Sequence, residues 1–182
     1  CQQLSLAVGI TLLGRLSEAY GRVPPNSPGR YAFPQPEDVL TTSPQQLRQL
    51  GFSDRKARSI IAIAHAIANE LVTSTQLDTL DDNAATNMLT SLPGIGRWSA
   101  EVYLMFCLGR PDVWPAGDLG IILGTQYLLN LPDKPKPAEL IAAAEAWRPH
   151  RTAAALLVWD HYMVAITARR AAAKAEKLPK SK

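Results

Sequence analysis

The stretch Leu92-Pro93-Gly94-Ile95-Gly96-Arg97-Trp98-Ser99-Ala100 lies between two segments of helical periodicity and decides the fold of the chain. Its proline and glycines favour a tight turn, and the residues after the turn begin a new helix. A helix start presents unpaired backbone N–H groups and the positive end of the peptide dipole, which together attract anions. The stretch therefore predicts a hairpin between two helices that can hold a nucleic-acid backbone. The same residues also suit an ordinary turn between helices.

The composition is that of a folded domain with a mildly basic surface. The chain has 182 residues, of which 47% are hydrophobic and 19% are charged, and its net charge is +3. This charge is compatible with a nucleic-acid partner and equally with a basic surface that has no ligand. Two cysteines, Cys1 and Cys107, are too few for a disulfide framework or a four-cysteine metal site. We expect Cys107 to be buried in an apolar helix, and the absence of a run of about 18 apolar residues predicts no membrane partner.

Helical periodicity runs along most of the chain. Apolar residues recur three and four positions apart, and capping residues precede several of these segments: Ser43, Ser53 or Asp54, and Asp81 or Asp82. No segment alternates polar and apolar residues between turns as a strand would. We therefore predict an all-α domain of about eight to ten short helices. The predicted helices cover residues 4–20, 36–40, 44–50, 54–71, 82–90, 97–108, 119–129 and 137–148, and a last helix begins near 151.

Asp118 is the acidic residue with the clearest functional context. It follows Pro115-Ala116-Gly117 and precedes a predicted helix. An aspartate in this place is a favoured N-cap, which would explain it without any chemistry. A catalytic carboxylate held by the same helix start is the other interpretation, and both can hold together because a cap fixes the direction of the side chain.

Several motifs in sequence order resemble the helix–hairpin–helix DNA glycosylases, and within them the bacterial 3-methyladenine DNA glycosylase II group. The resemblance extends over nearly the whole chain. The motifs are Q-Q-L-S at 2–5, L-P-G-I-G-R-W-S-A at 92–100, P-A-G-D-L-G at 115–120, A-W-R-P at 146–149 and L-L-V-W at 156–159.

The resemblance implies a base excision enzyme that flips alkylated purines of the 3-methyladenine type out of duplex DNA and hydrolyses the N-glycosidic bond. Asp118 would be the catalytic carboxylate, which stabilises positive charge on the sugar and orients the attacking water. Bifunctional members of the family have a lysine at the position of Trp98, and this lysine forms a Schiff base. The tryptophan therefore implies a monofunctional glycosylase without lyase activity.

The resemblance also implies roles for other residues. The implied DNA-binding residues are Gln3, Leu4, Pro93, Gly94, Ile95, Gly96, Arg97 and Ser99. Leu4 would be a wedge in the DNA stack, or else a plain helix residue. The implied base pocket contains Trp98, Tyr103 and Trp159, although Trp159 also suits an apolar core. Tyr103 follows Val102, where the family often has an aromatic residue, so the resemblance does not define the pocket wall or the substrate range. No cofactor is required, and a structural sodium or potassium ion would bind the backbone carbonyls of Thr90, Leu92 and Ile95.

The expected organisation is a glycosylase domain over residues 1–168, shorter at its start than the family, followed by a basic tail over 169–182. The expected partner is double-stranded DNA with damaged bases, bound by a monomer in the bacterial cytoplasm. Two alternatives stay open. One is a non-catalytic helix–hairpin–helix module that only binds DNA, and the other is a glycosylase for oxidised or deaminated bases.

Overall fold

The computed structural model describes the backbone of residues 6–176 and the side chains of residues 7–168. Over these residues the chain forms ten α-helices, one 3₁₀ turn and no strand, which confirms the predicted all-α fold. The helices are α1 (Leu6–Tyr20), α2 (Pro36–Val39), α3 (Pro44–Gln49), α4 (Asp54–Ala68), α5 (Ser74–Thr79), α6 (Asp82–Thr90), α7 (Arg97–Phe106), α8 (Leu119–Leu128), α9 (Pro137–Ala144) and α10 (Arg151–Glu176), with the 3₁₀ turn at Glu145–Trp147. The predicted residues Gln3 and Leu4 lie outside the described part of the chain.

The chain divides into two compact units between Gly96 and Arg97. In the first unit, α2 and α3 pack against α4. Ser43 caps α3 by accepting the Gln46 N–H at 3.3 Å, and Pro44 occupies the first helical position. One buried hydrophobic cluster of this unit consists of Leu12, Leu16, Leu47, Phe52 and Ala57.

Two differences from the predicted helices occur around residue 70. The helix predicted over 54–71 ends at Ala68, because Asn69 caps it through its side-chain amide on the His65 carbonyl and Glu70 takes a positive φ of 56°. The short helix α5 follows and was not predicted. Thr73 and Gln76 form its capping box, a pattern that is readable in the sequence.

In the second unit, α8 packs against α10. Gly124 makes this close approach feasible, because a Cβ there would lie 2.7 Å from the Val158 Cγ1 atom and 2.8 Å from the Val158 carbonyl oxygen. Side chains buried within this unit include Leu104, Ile121, Leu140 and Ala155. Helices α8 and α10 are therefore closely packed along their contact and hold the residues at their ends in fixed positions.

The expectation that Cys107 is buried is wrong. Helix α7 ends at Phe106, two residues earlier than predicted, and Cys107 lies just beyond it with an exposed side chain. At the other end of the unit, α10 continues past residue 168 to Glu176. None of the described helices is both long enough and apolar enough to span a membrane.

Candidate active site

The predicted hairpin forms after α6, within the first unit. Leu92 and Ile95 close it, since the Ile95 N–H donates to the Leu92 carbonyl at 3.1 Å. Gly94 has a φ of +87°, and a Cβ there would overlap the Ser59 hydroxyl of α4 and lie 2.8 Å from the Ser59 Cβ. Glycine is thus needed at this position for both its backbone conformation and its close packing. Pro93 and Gly94 are exposed, so the turn is open to a ligand.

The proposed cation ligands belong to the same turn. The Leu92 carbonyl already accepts one hydrogen bond, and a carbonyl oxygen has a second lone pair that can coordinate an ion. The Thr90 hydroxyl donates to the Thr86 carbonyl at 2.8 Å. The predicted cation ligand of this residue is its backbone carbonyl. The cation at this position stays a prediction.

Asp118 is the N-cap of α8 and also the centre of a polar cluster in the second unit. Its Oδ1 atom accepts the Ile121 N–H at 3.0 Å, as an N-cap side chain does. The same oxygen accepts the indole N–H of Trp159 at 2.7 Å, and Oδ2 accepts the indole N–H of Trp98 at 2.6 Å. Both interpretations of Asp118 left open by the sequence are therefore compatible, because the cap aims the carboxylate at two tryptophans.

This arrangement prepares a carboxylate for a positively charged partner. An ionised carboxylate has about four acceptor positions, and three of those on Asp118 are occupied by N–H groups. The short distances are typical of bonds to a charged acceptor, and the α8 N-terminus also favours negative charge. The half-buried side chain has its remaining acceptor position on Oδ2, where it can orient a water molecule or face a developing cation.

Aromatic and glycine residues shape the surroundings of this carboxylate. Trp159 stacks on Phe106, with ring centroids 6.0 Å apart and planes inclined by 19°, and Phe106 is 61% exposed. A Cβ at Gly120 would lie 2.8 Å from the Trp159 Cδ1 atom and 2.9 Å from Asp118 Oδ1. The sequence reasoning missed Phe106 and Gly120. Gly120 belongs to the quoted P-A-G-D-L-G motif, whereas Phe106 had only its place near the end of an amphipathic helix as a signal.

The structure brings Trp98, Trp159 and Asp118 together through hydrogen bonds. Trp159 is half-buried with its polar edge on Asp118, so it is not a fully buried core residue. Tyr103 lies five residues after Trp98 on α7, which places it about 140° further around the helix. Its membership of a base pocket, like the DNA contacts of Arg97 and Ser99, stays a prediction.

Glu101 is a second carboxylate on α7, buried to 6% exposure. Its Oε1 atom accepts the Arg97 Nε–H at 2.8 Å, and Arg97 is 75% exposed. Burial raises the pKa of the Glu101 carboxyl above its ordinary value, and the Arg97 charge offsets part of this rise. Glu101 therefore has an ion-pair partner of its own, distinct from the cluster around Asp118.

A groove of about 540 Å³ lies beside the far end of α8. Its lining residues include Gln126, Tyr127, Asn130 and Tyr162 and contain no carboxylate. None of the residues that bond Asp118 lines it. The groove is thus separate from the cluster that has the chemical groups of a candidate active site.

Comparison with known proteins connects this geometry to DNA repair. A family model described as HhH-GPD superfamily base excision DNA repair protein matches residues 1–149. DNA-3-methyladenine glycosylase 1 of Schizosaccharomyces pombe is 39% identical over 128 residues, which are 70% of this chain and 56% of that protein. DNA-3-methyladenine glycosylase 2 of Escherichia coli is 30% identical over 160 residues, which are 87% of this chain and 53% of that protein.

A solved structure has the same fold. The Schizosaccharomyces pombe 3-methyladenine DNA glycosylase in complex with abasic DNA superposes with a TM-score of 0.74 at 34% identity, over 87% of this chain and 73% of that chain. The chain spans about half the length of the curated relatives it matches.

Proposed function

Because the chain belongs to the HhH-GPD superfamily of base excision DNA repair proteins, we propose that it is a DNA glycosylase that removes alkylated purines of the 3-methyladenine type. The observation that supports this most strongly is the Asp118 carboxylate, fixed by three N–H donors, one of them from Trp159, which stacks on the exposed Phe106 ring. The named relatives, which include two DNA-3-methyladenine glycosylases, support the substrate class.

The proposed reaction is hydrolysis of the bond between the sugar C1′ and the base nitrogen. As this bond breaks, its electron pair leaves with the base, and positive charge develops on the sugar as it does in glycoside cleavage. The Asp118 carboxylate stabilises that charge and orients a water molecule, whose oxygen bonds to C1′. The proton lost by the water passes to Asp118 and then to solvent.

An alkylated purine suits this site because it already has a positive charge. It departs as a neutral base, so the reaction needs no strong general acid, and none of the described residues bonded to Asp118 is one. The exposed ring of Phe106 and the indole of Trp159 offer π surfaces that attract a cation, a contact worth about 0.5–2 kcal/mol.

A monofunctional mechanism follows from the residue at position 98. The Trp98 side chain donates its N–H to Asp118, and an indole nitrogen has no free lone pair for attack on the sugar. We expect no covalent enzyme–DNA complex to be trapped by borohydride.

DNA binding in this proposal relies on the hairpin after α6. The exposed Pro93-Gly94 turn and the backbone N–H groups that follow it would contact phosphates without reading sequence. Binding of this kind weakens with added salt as counterions are released. The protein would act as a monomer on double-stranded DNA.

The variant Asp118→Asn tests the proposal, with methylated DNA as substrate and chromatography of the freed bases as the assay. We expect release of 3-methyladenine and 7-methylguanine to fall about 10²- to 10³-fold, because the negative charge is lost while the shape is kept. Binding to the same DNA should change by about twofold or less. Asp133→Asn, on an exposed loop of the same unit, is the matched control and should release bases at the wild-type rate.

The assay also separates the alternatives. Unchanged base release by Asp118→Asn would contradict the assigned role of this carboxylate. Release of an oxidised or deaminated base in place of methylated purines would change the substrate class, and DNA binding without release of any base would identify a non-catalytic module.

A further inference from the structure

The connector that leads to Asp118 is tied to the start of another helix. This connector runs from the end of α7 to the start of α8 and has no helix or strand of its own. The Thr152 hydroxyl of α10 donates to the Arg110 carbonyl at 2.7 Å and accepts the Val113 N–H at 3.0 Å. The Thr152 N–H donates to the Pro111 carbonyl at 3.0 Å. One residue of α10 thus satisfies backbone groups of three connector residues.

An ion pair strengthens the same junction. The Asp112 carboxylate accepts Arg151 Nε–H at 2.7 Å and Nη2–H at 2.9 Å, which is the two-pronged geometry that arginine and carboxylates favour. Arg151 Nη2 also donates to the Asp112 backbone carbonyl at 2.9 Å, and Arg148 Nη1 donates to Asp112 Oδ2 at 2.7 Å. The Arg151 and Asp112 side chains are only 13% and 19% exposed, so the pair is shielded from competing water.

The two segments joined here meet again at the candidate active site. Trp159 lies eight residues after Arg151, which is about 12 Å along α10. Asp118 lies six residues after Asp112 on the connector, and the residues from Trp114 to Ala116 between them are buried. The bond of 2.7 Å between Trp159 and Asp118 is therefore the second of two attachments between the connector and α10.

Asp118 is held by three hydrogen bonds, from Ile121, Trp98 and Trp159, and of these three the Trp159 bond is the one that comes from α10. The connector contains two glycines, Gly109 with a φ of +64° and Gly117, and a Cβ at either position would meet no other atom within 4 Å. The junction at residues 110–113 anchors the connector to α10 between these two glycines.

We propose that Arg151 and Thr152 are positioning residues for glycosidic bond cleavage, which hold residues 110–113 on α10 and thereby set the place of the Asp118 carboxylate against the Trp159 indole. The proposal rests on the proposed function for its rate effect. Its geometric part concerns the bond between Asp118 and Trp159 and does not depend on the reaction.

The variant Thr152→Val tests this, since valine has nearly the same shape and lacks the hydroxyl. We expect the single-turnover rate of base release to fall about 10-fold, because small misplacements of a catalytic group are costly, while the Kd for DNA changes by less than about twofold. Thr152→Ser keeps the hydroxyl and should restore the rate to within about twofold of wild type. Thr167→Val is the matched control, because the Thr167 hydroxyl donates to the Met163 carbonyl of the same helix and bonds no connector residue among those that the structure describes.

A second measurement follows the geometry directly. The indole N–H proton of Trp159, assigned by its absence in Trp159→Phe, should have a nuclear magnetic resonance signal shifted downfield by the bond to Asp118. In Thr152→Val this signal should move or broaden at temperatures well below the Tm, and in Thr152→Ser it should not. Should Thr152→Val fail to fold, Arg151→Lys keeps the charge and loses the two-pronged pair, and the same two measurements apply.

A folded Thr152→Val protein with the wild-type rate and an unchanged Trp159 signal would overturn the proposal. A rate loss of the same size in Thr167→Val would overturn it as well, since the effect would then come from general loosening of α10. If the wild-type protein releases no base, the proposed function fails, and the Trp159 signal alone still decides whether the junction sets the geometry.

Discussion

Replacing Gly120 by alanine should separate catalysis from folding at the candidate active site. The new Cβ would lie 2.8 Å from Trp159 Cδ1, 2.9 Å from Asp118 Oδ1 and 3.0 Å from Trp159 Nε1. Carbon atoms in contact are about 3.5 Å apart, so the indole has to move by about 0.7 Å. Its hydrogen bond to Asp118, now 2.7 Å long, would stretch to about 3.4 Å and lose most of its strength.

The expected consequence is a slow enzyme that still folds. Misplacement of a catalytic group by about 1 Å can reduce the rate 10²-fold, so we expect a 10- to 100-fold fall in the single-turnover rate, about 1.4–2.8 kcal/mol of transition-state stabilisation. Alanine favours helix over glycine by up to about 1 kcal/mol, which offsets part of the steric cost to stability. The assay is release of 3-methyladenine from methylated DNA with enzyme in excess, together with a thermal melt.

Gly117→Ala is the matched control for this substitution. It adds the same methyl group next to Asp118, and a Cβ there would meet nothing within 4 Å. The control should keep the wild-type rate. Equal rates for Gly120→Ala and wild type, or equal losses in both alanine variants, would refute the role assigned to the Trp159–Asp118 contact.

Two further predictions concern stability. Gly124→Ala should lower the free energy of unfolding by about 1–3 kcal/mol, because its Cβ would lie 2.8 Å from the Val158 carbonyl oxygen. Gly14→Ala, on an open helix surface, should raise the free energy of unfolding by about 0.5–1 kcal/mol. Urea denaturation measures both changes. Burial raises the pKa of Glu101, so the folded state favours its protonated form and its contribution to stability falls as the pH rises through that raised pKa. Glu101→Gln should therefore gain stability relative to wild type as the pH rises above the ordinary pKa of a glutamate carboxyl, measured in urea titrations, and a difference independent of pH would contradict the assignment.

The local signals in the sequence predicted much of the fold. Ser43, Asp81 and Asp118 all cap helices as their types and positions indicate, and the hairpin forms at Pro93-Gly94. These features depend on interactions between residues no more than four apart, which a sequence displays directly. The helix α5 was not predicted although its capping box is present in the sequence. It has six residues, which are too few to show an apolar periodicity.

The partners of the catalytic candidate could not be predicted in this way. Trp98 and Trp159 bond Asp118 across sequence separations of 20 and 41 residues, and no local pattern specifies such contacts. The resemblance placed both tryptophans in a base pocket, and the structure shows that their indole N–H groups bond the carboxylate. The role of Gly120 could not be predicted for a related reason. A side chain is excluded there because Trp159 of α10 packs against this position, and this contact is not evident from the sequence.

The cap of α8 and the chemistry of Asp118 depend on different oxygens. Oδ1 accepts the Ile121 N–H and the Trp159 indole, while Oδ2 accepts only the Trp98 indole among the described residues. In Asp118→Asn the amide oxygen can keep the Oδ1 bonds, and the amide NH₂ group then faces the Trp98 N–H, so two donors meet. Asparagine caps helices about as well as aspartate, so α8 should begin at the same residue in this variant. The helix start therefore fixes the carboxylate through Oδ1. In the proposed function Oδ2 faces the sugar and the water, so the same aspartate can be both a helix cap and the catalytic group.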